Sequence, residues 1–429
     1  MKGSFRDFVK ELEERKQLLR IRKKVSKNLE LAAVMKARED TPMLAPEVGG
    51  AKFSAVGNVF ATRDLVAQYL GCGVEEITKR LMDAVNHPSK PKTAKSSPAL
   101  EKTVSSLDEL PIPYHTEKDG GPYICSGIVI AKDKEYGTNC SFHRMMQLDG
   151  HRMALRILPR HLNTFIERAG GELDVAVIIG SPINVLLASA VSTKIGTNEL
   201  EMANSLAPFE TVKLENGIEV PSEVEFIIEG RITREMVNEG PFVDLTDTYD
   251  IVRRQQVMEI KKIHARKDAL FHVLLPGGME HKVLMGMPRE PTIFNEVNMV
   301  AECEGVSITP GGCSWLHGIV SIKKKNEDDG KKAIEAAFRG HASMKHVVVV
   351  DDDVDIHKME DVEWAIATRF QGDRGLVVKK GEKGSSLDPS ANPETRETTK
   401  VGVDATAPLK NRAAFDRAKY KKVDVKDYF

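Results

Sequence analysis

The sequence predicts a multidomain chain of mixed α+β and α/β class, in which a strand-rich middle region is flanked by two α/β regions. The chain has 429 residues, more than one ordinary core accommodates, so two or three domains are expected. Its 41% hydrophobic and 29% charged residues are typical of a globular protein. The spacing of apolar residues changes twice, becoming strand-like after residue 98 and returning to α/β near residue 291.

The first region alternates helix and strand signals. Its predicted elements are, in order, a helix at 4–20 that Ser4 can cap, a strand at 52–59, helices at 62–70 and 74–85, and an exposed linker at 87–98. The linker is predicted because it is rich in Pro, Ser and Lys and poor in apolar residues.

Strands dominate the middle region. They are predicted at residues 123–131, 145–158, 175–179, 224–232 and 269–275, with short helices at 161–169 and 183–190. The run 145–158 contains Asp149-Gly150, a hairpin signal, and therefore predicts two strands. So many strands, over roughly residues 110–300, could close as a barrel.

The last region returns to α/β alternation. It predicts a helix at 291–303, a strand at 318–323, a helix at 330–338, a strand at 346–351, a helix at 359–370 and a loop-like tail from residue 372. We therefore expect domains at 1–108, 109–305 and 306–429.

Composition argues against several classes of protein. The formal net charge is −1 and aromatic residues make up 6%, which disfavours nucleic-acid binding. No apolar run is long enough for a membrane span, and the first residues are charged rather than signal-like. The five cysteines are scattered without a C-x-x-C pair, as in reduced cytosolic proteins. The sequence lacks the glycine patterns of Rossmann and P-loop nucleotide sites. From the cysteines and the charged first residues, we expect a cytoplasmic protein.

Two groups of polar residues suggest a reactive site. A carboxamide at Asn139, an imidazole at His161 and a carboxylate at Glu199 would together suit a divalent cation such as Mn²⁺ or Mg²⁺. Alternation along a strand places Arg144 on one face with Phe142 and Met146, where an arginine requires a partner. Each residue alone also has an ordinary structural explanation, as a turn, cap or surface residue.

Glu239 and Asp244 flank a Gly-Pro turn and could both be directed at Arg144. Such a trio would be either a structural ion pair or a proton-transfer network. Ala188, Ser189 and Val191 end an apolar helix, where their backbone carbonyls could bind a monovalent cation. Lys400 would be a solvated lysine or a phosphate contact. Glu280 is expected to be structural.

Six segments, in matching order, resemble the UbiD family of prenylated-flavin-dependent decarboxylases. They are G-T-N-C-S-F-H-R at 137–144, P-R-H at 159–161, A-S-A-V at 188–191 with T-N-E at 197–199, I-I-E-G-R-I at 227–232, E-G-P-F-V-D at 239–244, and T-K-V-G-V-D-A-T at 399–406. The resemblance implies a central split β-barrel, similar to flavin reductases, between an N-terminal α/β region and a C-terminal α/β domain used in oligomerisation.

The resemblance also implies roles for individual residues. Asn139, His161 and Glu199 would bind a divalent metal, typically Mn²⁺, that ties the phosphate of prenylated FMN to the protein, and Ala188, Ser189 and Val191 would bind K⁺. The cofactor would be lined by Asn139, Cys140, Ser141, Phe142, His143, Arg144, Arg160 and His161, with Lys400 on its phosphate. Arg144, Glu239 and Asp244 would be the catalytic network. His143 stands where many relatives have Tyr, and Val243 where many have Gly, which implies a differently shaped pocket.

The implied activity is non-oxidative decarboxylation, with the flavin as electron sink and Asp244 or Glu239 returning a proton. The G-G-M-E-H-K-V-L-M-G segment at 277–286 looks most like the archaeal anhydromevalonate phosphate decarboxylases, which form isopentenyl phosphate from trans-anhydromevalonate 5-phosphate. Arg156, His151 and Arg160 are candidates for holding the substrate phosphate.

Three alternatives stay open at this stage. They are a decarboxylase of an aromatic acid such as a 4-hydroxybenzoate derivative, a non-catalytic flavin-binding protein, and a scaffold without cofactor. An intact set of Arg144, Glu239 and Asp244 argues against the last two, which would not need an acid–base network. The implied partners are a flavin prenyltransferase that supplies the cofactor and further copies of the chain, with neither nucleic acid nor membrane.

Overall fold

The computed structural model describes residues 3–418, 420–424, 426 and 428. The chain forms two compact units. The first comprises Met1–Pro291, Pro310–Trp315 and Ser386–Pro389, and the second comprises Thr292–Thr309, Leu316–Ser385 and Ser390–Phe429. Both contain helices and strands, which confirms the predicted mixed class. No helix among the described residues has the length and apolar character needed to cross a membrane.

The N-terminal part of the first unit alternates short elements. They are α1 (Phe5–Glu14), β1 (Leu19–Arg20), β2 (Val25–Ser26), α2 (Glu30–Lys36), β3 (Met43–Ala45), β4 (Val48–Gly49), β5 (Ser54–Gly57), α3 (Arg63–Leu70), α4 (Ile77–Asn86), β6 (Lys92–Thr93) and β7 (Lys102–Val104). Ser4 caps α1 as predicted, and Thr62 caps α3. Helix α1 ends at Glu14 rather than residue 20, because the chain turns at Lys16, whose φ is 60°.

The middle of the chain carries most of the strands. Its elements are β8 (Tyr123–Ile124), β9 (Ile128–Asp133), β10 (Gly137–Phe142), β11 (Met145–Gln147), β12 (Arg152–Leu155), α5 (His161–Arg168), β13 (Leu173–Ile179), α6 (Ile183–Ala190), α7 (Glu199–Leu206), β14 (Glu210–Lys213), β15 (Glu219–Pro221), β16 (Phe226–Glu239), β17 (Phe242–Val243), β18 (Tyr249–Asp250), β19 (Arg253–Ala265), β20 (Leu270–Val273) and α8 (Met279–Gly286).

A nine-stranded sheet forms the centre of the first unit. Its order is β10-β9-β13-β16-β19-β12-β11-β8, with β7 also paired to β19. The pairings among the described strands follow an open path from β10 to β8, so the predicted split barrel is not confirmed. Strand β20 joins β1, β3 and β5 in a second sheet, and β6 pairs with β14, so the predicted linker contains a strand.

Both faces of this sheet are covered. Side chains on β9 and β13 alternate between two hydrophobic cores, with Ile130 and Ile178 in one and Val129 and Val177 in the other. Such two-sided burial explains their continuous apolar sequences. Strand β19 was missed by the sequence analysis because its exposed face carries Arg, Gln, Glu and Lys, which masks the strand pattern.

The second unit contains one five-stranded sheet. Its elements are α9 (Glu290–Asn298), which begins in the first unit, β21 (Glu302–Ile308), β22 (His317–Lys323), α10 (Asp329–Gly340), β23 (His346–Asp351), α11 (Met359–Arg369), α12 (Gly372–Gly375), β24 (Leu376–Lys383) and β25 (Glu397–Ala405). The strand order is β21-β22-β23-β25-β24. The prediction of a loop-like tail was wrong, because β24 and β25 both lie beyond residue 372.

Candidate active site

Arg144 lies in the short link between β10 and β11, not on a strand as the sequence analysis expected. Strand β10 ends at Phe142 and β11 begins at Met145, so His143 and Arg144 form the two-residue link between these strands. The guanidinium carbon of Arg144 lies 4.5 Å from the centre of the Phe242 ring. This cation–π contact fixes one face of the guanidinium while its edges remain available for carboxylates.

Three carboxylates surround Arg144. Its Nε and Nη2 donate to the two oxygens of Glu239 at 2.9 and 3.0 Å, a bidentate pair. Its Nη1 donates to Asp244 at 2.7 Å, and Nη2 also donates to Asp250 at 2.9 Å. The structure therefore brings together the predicted trio of Arg144, Glu239 and Asp244, and it adds Asp250.

The cluster is largely removed from solvent. The side chain of Arg144 is 9% exposed and that of Glu239 is 0% exposed, whereas Asp244 is 18% exposed. Burial alone would lower the pKa of Arg144, but the hydrogen bonds and charges of Glu239, Asp244 and Asp250 raise it above its ordinary value. The guanidinium stays charged, and Asp244 is the more accessible of the two predicted acids.

The turn that carries Glu239 and Asp244 is held by the segment around Asp119. The carboxylate of Asp119 accepts the backbone N–H of Val243 at 3.0 Å and that of Thr116 at 2.9 Å. A Cβ added at Gly120 would lie 2.3 Å from the carbonyl oxygen of Gly240, so only glycine allows these two segments to approach. This packing positions β17 beside Arg144.

Asn139 and Glu199 form a second buried group. The Nδ2 of Asn139 lies 3.4 Å from Oε1 of Glu199, and the backbone N–H of Cys140 donates to Oε2 at 2.9 Å. Glu199 is 3% exposed, and its hydrogen bonds come from neutral groups, including the hydroxyl of Thr193. Burial raises the pKa of Glu199 to about 7, against the opposing effect of the Cys140 N–H.

His161 is the first residue of α5, which packs against β10, the strand of Asn139. Burial, and then the charge of Arg160, lower the pKa of His161 and favour the neutral imidazole that binds metals. No hydrogen bond joins His161 to Asn139 or Glu199 in the described part of the chain. Among those residues, no group of three or more His, Cys, Asp and Glu is placed to hold a metal, and the predicted set contains only two such residues beside its asparagine.

The chemistry of this donor set nevertheless fits a divalent cation. A buried carboxylate whose hydrogen bonds come from neutral donors is costly in its charged form, and a bound cation would remove that cost. The carboxamide of Asn139 adjoins it through Nδ2 and also carries an oxygen that could bind a metal, and a neutral imidazole begins the adjacent helix. We conclude that Asn139, Glu199 and His161 are chemically suited to a metal ion.

The remaining predicted cofactor residues lie on β10, in the link after it, or just before α5. The hydroxyl of Ser141 donates to Oδ1 of Asn139 at 3.2 Å and lies 3.0 Å from Nε2 of His143. Burial lowers the pKa of His143 to about 4, so its imidazole is neutral. Cys140 is buried, Phe142 is half-buried at the end of β10, and Arg160 is the exposed residue that precedes α5.

The residues proposed for a monovalent cation lie at the end of α6. The carbonyl of Ala188 accepts the backbone N–H of Val191 at 3.1 Å, which closes the helix. The hydroxyl of Ser189 donates to the carbonyl of Val185 at 2.7 Å and lies 3.2 Å from the sulfur of Cys140. The segment therefore adjoins β10, and its role in binding K⁺ stays a prediction.

Lys400 belongs to the second unit, where it lies on β25 rather than in a loop. Its Nζ donates to the carbonyl of Ala342 at 2.6 Å and lies 5.3 Å from the ring of Phe338. Burial lowers the pKa of this amine. Lys400 is therefore a buried residue of a strand, not a solvated residue of a loop. The contact of Lys400 with a cofactor phosphate stays a prediction.

Sequence reasoning missed two residues of the Arg144 cluster. Asp250 joins Arg144 to Arg253, and Tyr123 donates its hydroxyl to Oε1 of Glu239 at 2.9 Å. The signal for Asp250 was the polar turn between Asp244 and Tyr249, which makes a hairpin in which Phe242 pairs with Asp250. Tyr123 had no comparable signal.

Family models match nearly the whole chain. The 3-octaprenyl-4-hydroxybenzoate carboxy-lyase (UbiD) N-terminal domain matches residues 9–85, its Rift-related domain matches residues 88–279, and its C-terminal domain matches residues 282–405.

Individual proteins are similar over comparable lengths. Anhydromevalonate phosphate decarboxylase of Methanothermobacter thermautotrophicus is 42% identical over 423 residues, which cover 96% of this chain and 99% of that protein. The UbiD-class enzyme HmfF from Pelotomaculum thermopropionicum, in complex with FMN, matches with a TM-score of 0.96 and 35% identity over 100% of both chains. An evolved dimeric form of HmfF, in complex with prenylated FMN, matches with a TM-score of 0.91 and 34% identity, again over 100% of both chains.

Proposed function

The chain belongs to the UbiD family, and we propose that it is a prenylated-FMN-dependent decarboxylase that converts trans-anhydromevalonate 5-phosphate to isopentenyl phosphate. The similarity to anhydromevalonate phosphate decarboxylase over nearly the full length of both proteins supports this substrate. The observation that carries the reaction type is the Arg144 cluster, in which one buried cation holds the predicted acids Glu239 and Asp244.

Each residue of the cluster has a task in such a reaction. When CO₂ leaves the substrate, the C–C bond breaks and its electron pair remains on carbon, which must then receive a proton. Glu239 is held on both oxygens by Arg144 and on one by Tyr123, so it is a fixed counter-ion. Asp244 has a single bond to Arg144 and is partly exposed, and we assign it as the acid that delivers the proton.

Prenylated FMN, when bound, supplies the electron sink that no side chain provides. We propose that Ser141, Phe142, His143 and Arg160 line it, and that Asn139, His161 and Glu199 hold a Mn²⁺ or Mg²⁺ ion at its phosphate. The raised pKa of Glu199 supports this choice, because such a carboxylate favours a cation beside it. The carbonyls of Ala188, Ser189 and Val191 would hold K⁺.

The proposal also covers the domains of the chain, its partners and its place in metabolism. The three consecutive family models, at residues 9–85, 88–279 and 282–405, support a division into three domains. We propose bounds of 1–108, 109–305 and 306–429 for them and a split β-barrel for the central one. A flavin prenyltransferase would supply the cofactor, and the chain would assemble with further copies of itself in the cytoplasm, where it would serve isoprenoid synthesis through a mevalonate pathway.

The test combines cofactor content with turnover. Protein coexpressed with a flavin prenyltransferase should bind the modified flavin, seen by mass spectrometry, and should release CO₂ from anhydromevalonate phosphate but not from aryl acids. Asp244→Asn should retain the flavin and lose at least about 100-fold in turnover, the size expected for a general acid. Normal decarboxylation by Asp244→Asn would exclude this acid, and turnover of aryl acids alone would exclude the proposed substrate.

His161→Ala tests the metal assignment separately. We expect this variant to lose bound Mn²⁺, measured by elemental analysis, together with the flavin. Unchanged Mn²⁺ content would contradict the assignment.

A further inference from the structure

Arg156 lies at the same end of the β11–β12 hairpin as Arg144. Strand β11 begins directly after Arg144 and strand β12 ends directly before Arg156, and Met145 pairs with Leu155. The backbone N–H of Arg156 donates to the carbonyl of Arg144 at 3.0 Å. The two arginines therefore flank one end of a two-stranded ribbon, next to the carboxylate cluster.

The guanidinium of Arg156 differs from those of Arg144 and Arg253 in having no hydrogen-bond or ion-pair partner among the described residues. Arg144 is bonded to three carboxylates and Arg253 is paired with Asp250. Arg156 is half-buried, yet within the described residues its side chain makes neither a hydrogen bond nor an ion pair. Its backbone is nonetheless fixed, because its carbonyl lies 2.9 Å from Nδ1 of His143.

Charges of both signs lie around Arg156. Burial lowers the pKa of Arg156, and the positive charges of Arg253 and Arg144 lower it further, while Asp250 and Glu239 act in the opposite direction. A half-buried guanidinium gains most when its N–H groups donate hydrogen bonds to an acceptor. The nearby carboxylates already accept hydrogen bonds from Arg144 and Arg253, so the guanidinium N–H groups of Arg156 are left available to an anion from outside the chain.

The other two candidates for an anion contact are placed differently. His151 is exposed in the turn at the opposite end of the hairpin, where its backbone N–H bonds to Asp149. Arg160 is exposed before α5, beside the proposed metal ligand His161. Neither adjoins the Arg144 cluster as Arg156 does.

We propose that Arg156 binds the phosphate of the substrate and thereby selects a phosphorylated acid over its unphosphorylated analogue. The inference rests on the proposed function, since it assigns a substrate group within that same site. A planar guanidinium can donate two parallel hydrogen bonds to phosphate oxygens, so it fixes both position and orientation. Each arginine then contacts a different group of the substrate: Arg144 lies beside the reacting carboxylate, and Arg156 binds the distal phosphate.

The test compares two substrates in three variants of the holoenzyme. Arg156→Met should raise KM and lower kcat/KM for anhydromevalonate phosphate by about 10- to 100-fold, the loss expected for charged hydrogen bonds. Its kcat/KM for unphosphorylated anhydromevalonate and its flavin content should stay within about twofold of wild type. Arg156→Lys should restore part of the affinity, because it keeps the charge but not the bidentate geometry.

Arg152→Met is the matched control on the same strand, since Arg152 is exposed and paired with Asp149 and Glu235. It should leave both substrates unaffected. If Arg156→Met slows both substrates equally, loses flavin, or leaves the phosphorylated acid unchanged, the inference is overturned while the proposed function stands. If the wild-type enzyme releases no CO₂ from the phosphorylated acid, the proposed function and the inference both fail.

Discussion

The Arg144 cluster and the Asn139–Glu199 pair neutralise their buried carboxylates in opposite ways. Around Arg144, the chain supplies the cation as well as the anions, and every carboxylate that touches it is ion-paired. At Glu199, the hydrogen bonds come from neutral groups, and burial raises its pKa to about 7. The first group pairs its carboxylates with arginines of the chain, whereas within the described residues Glu199 has no cationic partner.

From this difference we expect metal binding to matter more for Glu199 than for the Arg144 cluster. A self-paired cluster keeps its geometry whether or not substrate and cofactor are present, which suits residues that must hold a proton donor in place. A carboxylate without a cation gains most from metal binding, because its charged form is then compensated. The comparison can be tested by removing one charge from each group.

The largest effect is expected for Arg144→Met. This change leaves Glu239, which is fully buried, without its cation, and loss of one partner of a buried pair costs about 3–5 kcal/mol of unfolding free energy. Urea unfolding of the flavin-free protein measures it. Arg231→Met, which removes an exposed arginine paired with Glu172 and Asp174, should change stability by less than about 1 kcal/mol. Equal losses of unfolding free energy in Arg144→Met and Arg231→Met would show that the buried ion pair is worth no more than the surface pair.

An intermediate effect, dependent on pH, is expected for Glu199→Gln. The folded pKa of Glu199 is about 7 against an ordinary value of 4.5, so the folded state binds more protons than the unfolded state between these values. The metal-free protein should therefore lose stability as pH rises through this window, by roughly 3 kcal/mol in total. Glu199→Gln lacks this carboxylate, and it should be the more stable protein at pH 8 although it no longer binds Mn²⁺.

Unfolding free energies of the two metal-free proteins between pH 5 and 8 provide the measurement. The difference between them should grow with pH, since all other titrating groups are shared. A difference that stays constant over this range would mean that Glu199 is charged in the folded chain without a metal, and that the two groups do not differ as described.

The smallest effect is expected for Asp250→Asn. Arg144 keeps Glu239 and Asp244, and an asparagine oxygen can still accept a hydrogen bond, so stability should fall by about 1 kcal/mol. Turnover should fall by about tenfold or less, because Asp250 helps to position Arg144 but is not the proposed acid. Glu235→Gln, an exposed change on β16, is the control. A loss as large as that of Asp244→Asn would instead place Asp250 among the catalytic residues.

The sequence alone identified the segments that carry Arg144, Glu239, Asp244, Asn139 and Glu199, and the structure joins them into two groups. Short-range patterns sufficed there, because each segment has a distinctive local composition. The same patterns failed for the last region, where polar β24 and β25 resembled a loop, and for β19, whose charged face concealed a strand.

The sequence by itself determined the mixed α/β organisation, the capped helices α1 and α3, and the residue types available for chemistry, because these depend on neighbours along the chain. Tertiary structure alone decided that Asp250 joins Arg144 across 106 positions, that Lys400 is buried on a strand, and that the guanidinium of Arg156 has no partner within the described part of the chain. Such facts depend on the pairing of distant strands and on burial, and neither is encoded in any short stretch of residues.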